Sequence, residues 1–143
     1  MKRMKVGRVL LTLWAGLNIL AAAMVTILTL ATRTSPALLL VLDADAISRI
    51  DSRALAVVNA QAALANPCII GFCVLVLAVV WSNRSSASGN LYRILVPTLA
   101  FVQVFAFVSD GYLGHRNLIV NMASTALWTA GLGLVLSAPR EVR

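Results

Sequence analysis

From Val9 to Thr32 the sequence runs 24 residues without a single charge. Coiled as an α-helix at about 1.5 Å per residue, such a run is longer than the ~30 Å hydrocarbon core of a bilayer. A secretory leader has an apolar stretch of only about 7–15 residues, followed by a small-residue cleavage site. The run therefore predicts an uncleaved first membrane span. Three further apolar runs follow, Pro67–Trp81, Leu91–Ser109 and Leu118–Ala138. The second is short for a crossing and must borrow residues that precede Pro67. The expected spans are 9–32, 62–81, 91–109 and 118–138. The fold class that follows is an all-α integral membrane protein. It is read as one domain over residues 1–143, a four-transmembrane-helix bundle with a short amphipathic outer segment at 36–61, between helices 1 and 2.

Composition supports lipid as the solvent. Hydrophobic residues make up 60% of the chain and charged residues 12%, about half the charged share of soluble domains. The net charge is +7. In a soluble domain that excess would point to nucleic acid. Here the basic residues flank apolar runs, where they set orientation and meet anionic headgroups; no nucleic-acid partner is expected. Cys68 and Cys73 are five positions apart in one apolar run, a spacing that forms neither a redox nor a zinc motif.

The segment between the first two runs is the most charged part of the chain. Thr34-Ser35-Pro36 reads as a helix start, with Ser35 as cap and Pro36 in the first turn. In DADAISRIDSR, residues 43–53, Asp45 and Arg49 are four apart and suited to pairing. Asp51 is placed to cap a helix beginning at Ser52. Ile47, Ile50, Ala54 and Val57 keep helical spacing, as in one or two short amphipathic helices lying at the membrane surface or capping the bundle. Residues 54–64 alternatively extend the second helix outward, with Asn66-Pro67 as a kink.

Four crossings put both termini on one side. That side collects Lys2, Arg3, Lys5, Arg8, Arg84, Arg93, Arg140 and Arg143, against Arg33, Arg49, Arg53 and Arg116 on the other. The asymmetry predicts cytoplasmic termini, and the outline is similar to the compact four-helix proteins of bacterial inner membranes. That likeness is one of architecture and carries no function. Trp14 and Trp81 are expected at the inner boundary and Tyr112 at the outer one.

Polar residues within spans are costly and tend to face the protein interior. At 100° per residue, Asn117, Asn121, Ser124, Trp128 and Gly131 form one stripe on the last helix. Gln103 and Asp110 share a face of the third, and Trp14 and Asn18 a face of the first. These stripes predict an outward-facing polar pocket for a lipophilic small molecule. Asp110 and His115 are its candidate acid and base. Asn121, Gln103, Asn117, Trp128, Asn18, Asn59 and Gln61 are its candidate binding residues. In catalytic form it would be a cofactor-free isomerase, cyclase or hydrolase. The other reading is a non-enzymatic membrane subunit or assembly partner, in which the same stripes are helix-packing contacts. A homo-oligomer serving as a channel or transporter is a third, motivated by the Asn66-Pro67 break. The sequence has no P-loop, G-x-S-x-G, H-E-x-x-H, C-x-x-C-H or G-x-G-x-x-G motif. No cofactor is expected, and Asp43, Asp45 and Asp51 make too weak a cluster to predict a metal.

Overall fold

The structure is a computed structural model that describes residues 2–82 and 88–138. Arg84, Arg140 and Arg143, used above to assign sides, lie outside the described residues. The chain is all-α, as expected, with no strand among the described residues. Its helices are α1 (Lys2–Thr32), α2 (Pro36–Leu39), α3 (Ala44–Ser48), α4 (Ser52–Ser82), α5 (Ser88–Tyr112) and α6 (Leu118–Leu136). Four of them, α1, α4, α5 and α6, are long and apolar enough to cross a membrane.

The physical case for lipid is in the side chains these helices leave outside. Only 17–22% of the most apolar window of each long helix is buried within the protein. Leu20, Met24, Leu30, Leu64, Leu75, Phe101, Ile119 and Val120 are all more than 60% exposed. In water that surface would cost about 25 cal/mol per Å²; in hydrocarbon it costs nothing. The hydroxyls on these surfaces close onto their own helix. Thr12, Thr26, Thr29, Thr32, Thr98, Thr125 and Thr129 each donate to the carbonyl four residues earlier, so these seven donors are satisfied within their own helices.

The chain divides into two compact units, Met1–Gly16 with Val74–Arg143, and Leu17–Cys73. In the first, the start of α1 packs on α6 through glycine. A Cβ on Gly7 would come within 2.6 Å of the Gly131 carbonyl oxygen, and one on Gly131 within 2.9 Å of Leu11. Such close backbone approach is how helices associate where no hydrophobic effect drives them together. Leu11, Trp14, Val76, Val80, Tyr92, Leu99, Trp128 and Leu132 are buried around it. Tyr92 donates its hydroxyl to the Val80 carbonyl at 3.2 Å, tying α5 to α4.

In the second unit the outer segment comprises the short helices α2 and α3 and the first turns of α4. Ser35 precedes α2 with Pro36 in its first turn, but Ser35 makes no side-chain cap bond. Asp43 caps α3, accepting from the Ala46 N–H at 2.7 Å. Asp51 caps α4, accepting from Arg53 and Ala54 at 2.8 and 3.2 Å. Asp45 and Arg49 form no ion pair among the described residues. Residues 52–61 are the first turns of α4, which runs unbroken through Pro67. Nothing between Ser52 and Asn66 breaks a helix, and Pro67 removes one donor without ending it.

Candidate functional site

The polar stripe of α6 meets its neighbours residue by residue. Trp14 of α1 donates its indole N–H to Ser124 Oγ at 2.8 Å. Trp14 is thus buried, whereas Trp81 and Tyr112 are 58% and 88% exposed. One turn further along α6, Trp128 donates to Gln103 Oε1 at 3.3 Å. Gln103 in turn donates through Nε2 to the Asn121 carbonyl at 3.3 Å. Asn121 Nδ2 reaches the Ala106 carbonyl at 3.4 Å. Spacings of three and four residues on α6, facing Gln103 and Ala106 three apart on α5, place Trp128, Gln103 and Asn121 on one helix–helix seam. The result is a chain of bonds from Trp128 through Gln103 to the α6 backbone, with α5 and α6 as its two rails.

Asp110, His115 and Asn117 gather at the α5–α6 turn. Asp110 is not past the helix end; α5 continues to Tyr112. Its carboxylate is 2% exposed. Oδ1 accepts the Asn117 backbone N–H at 2.6 Å, satisfying one of the orphan donors at the start of α6. The Asp110 carbonyl accepts from His115 N–H at 2.9 Å. Gly114 and His115 both take left-handed backbone, at φ 65° and 60°, which reverses the chain between the two helices. Oδ2 has no hydrogen-bond partner; His115 Nδ1 stands 3.8 Å away, its side chain 68% exposed. At 3.8 Å the two groups stand close but beyond hydrogen-bond distance. The Asn117 carboxamide makes no cap bond at the head of α6; it is the backbone of this residue that joins the cluster.

The remaining candidates belong to the second unit. Asn18 is half-buried and Gln61 exposed. Asn59 clamps the turn after α1: its Nδ2 donates to the Arg33 carbonyl and its Oδ1 accepts the Ser35 N–H at 2.8 Å. Arg33 is in left-handed backbone at φ 53°, and Ser35 is 2% exposed. The polarity of Asn59 was visible in the sequence; its partners were not, because they lie 24 and 26 positions away. Beside this clamp a groove of about 600 Å³ opens between the end of α1 and the start of α4, with Leu30, Arg33, Ser52, Ala56, Ala60 and Ala63 on its walls. Among the described residues no three His, Cys, Asp or Glu side chains gather as metal ligands would.

Set against known protein families, curated proteins and solved structures, the chain finds no match in any of the three.

Proposed function

We propose that this chain is a non-enzymatic component of the membrane, a subunit or assembly partner whose interior polar residues serve helix packing. The observation that carries this reading is the pairing of the seam. Gln103, Asn121, Ser124, Trp14 and Trp128 are bonded to one another or to backbone, which leaves little polar capacity for a ligand. Interhelical bonds of this kind are worth about 0.6 kcal/mol each on average. In this reading the protein spans the bacterial inner membrane with both termini cytoplasmic, and the charged segment 43–53 is its docking surface on the outer side. Purification in mild detergent should yield a stoichiometric second membrane protein, and charge reversal at Arg49 and Arg53 should weaken the pair. A monodisperse single chain that binds or converts an amphiphile at the α5–α6 turn would overturn it.

One observation favours the alternative, a pocket enzyme for a lipophilic substrate. Asp110 Oδ2 is buried without a hydrogen bond and faces His115. Asp110→Asn decides between the two readings. Asparagine keeps an acceptor for the Asn117 N–H, so a structural role survives the change, whereas an acid–base role does not.

A further inference from the structure

The groove of the second unit has the chemistry of a site for a single anionic lipid, and we infer that it holds a phospholipid by its phosphate and one acyl chain. Three observations converge on this. The first is shape. Along α4 the lining runs from Ser52 to Ala63, about 16 Å at 1.5 Å per residue. Ala56, Ala60 and Ala63 recur on one helix face, and their missing side-chain volume makes the hollow. Its volume of about 600 Å³ falls in the ~300–1,000 Å³ range of small-molecule sites.

The second is charge. Arg33 is the cation among the lining residues, and no acidic side chain lines the groove. The Arg33 guanidinium forms no ion pair among the described residues. Asp51, next to Ser52, has its carboxylate turned onto the N–H groups of Arg53 and Ala54. A guanidinium fork binds phosphate through two parallel hydrogen bonds, and Ser52 on the same lining carries a hydroxyl as a further donor.

The third is construction. Arg33 sits in backbone that non-glycine residues seldom adopt. Asn59 holds that turn from both sides, through the Arg33 carbonyl and the Ser35 N–H. The backbone from which the Arg33 side chain departs is thereby held at the groove by a residue that is itself part of the wall. A second copy of this chain is a poorer occupant. A two-fold interface brings the same patch to both sides, so Arg33 would approach its own counterpart with no acid in the groove to offset it.

The site is independent of whether the chain is a subunit. The test uses the full chain, reconstituted in vesicles of equal phosphatidylglycerol and phosphatidylcholine, then extracted in mild detergent for native mass spectrometry. One phosphatidylglycerol should remain bound in preference to phosphatidylcholine. Arg33→Gln should lower that occupancy roughly tenfold, the loss of one charge-assisted contact, while Arg53→Gln, off the groove, should leave it unchanged. Ala60→Leu, which fills the hollow, should expel the lipid without changing the elution volume of the protein. Equal retention of the two lipids, unaltered occupancy in Arg33→Gln, displacement by inorganic phosphate alone, or a lipid-free mass of two chains would each overturn the assignment.

Discussion

At Asp110 a single carboxylate does what elsewhere takes a serine or threonine cap. It lies seven residues before the α6 N–H that it accepts, and the turn between them bends through two left-handed residues, Gly114 and His115. Removing the acceptor leaves a donor without a partner in a poorly hydrated place. Asp110→Ala should therefore lower stability by about 1–2 kcal/mol, read as a fall in detergent melting temperature. His115→Asn should stay within about 0.5 kcal/mol of the parent, since asparagine tolerates left-handed backbone well; a larger loss would mean that the imidazole carries more than a turn. Asn59→Leu should cost about 1–2 kcal/mol by the same measurement, because the Ser35 N–H and Arg33 carbonyl lose a shared partner.

The helices differ in how closely they approach one another, and glycine records where. Gly7 of α1 meets the α6 backbone, whereas a Cβ on Gly133, two residues beyond Gly131, would find nothing within 4 Å. Gly7→Ala should thus destabilise the protein by about 1–3 kcal/mol, as overpacking does. Gly133→Ala should be neutral or stabilising by up to about 1 kcal/mol from helix propensity. Equal effects of the two would deny the close crossing of α1 and α6. The number of long helices was legible in the sequence because four apolar runs separated by polar, charged segments admit few other folds. Their ends were less so. Residues 52–61 carry the alternation of polar and apolar positions that a surface helix also has, so the outer segment was drawn to 61, yet α4 starts at Ser52. The Asp51 cap was readable, being a local contact of two and three residues. Pro67 was readable as lying within the second helix, since a proline inside a long apolar helix removes only one of many hydrogen bonds.

For the molecule as a whole, the proposed topology has both termini in the cytoplasm and the Asp43–Arg53 segment on the outer side of the membrane. With Cys68 and Cys73 replaced by alanine, a membrane-impermeant maleimide should label Ser48→Cys in intact cells. Lys5→Cys should label only after permeabilisation; the reverse pattern would invert the topology. The candidate site was legible only as a set of faces. Helical angles put Gln103 opposite the α6 stripe correctly enough for the two to bond. They could not say that Trp128 and Asn121 would consume both ends of its carboxamide, because partner choice depends on the distance and rotation between helices. The central claim is that this seam binds the helices together and not a ligand. Its most direct test is a double-mutant cycle on Gln103→Leu and Trp128→Phe, read by unfolding in detergent. The account predicts a favourable coupling of about 0.6 kcal/mol, and no more than about 1.7. Additive effects with no coupling, from variants that unfold like the parent, would contradict it.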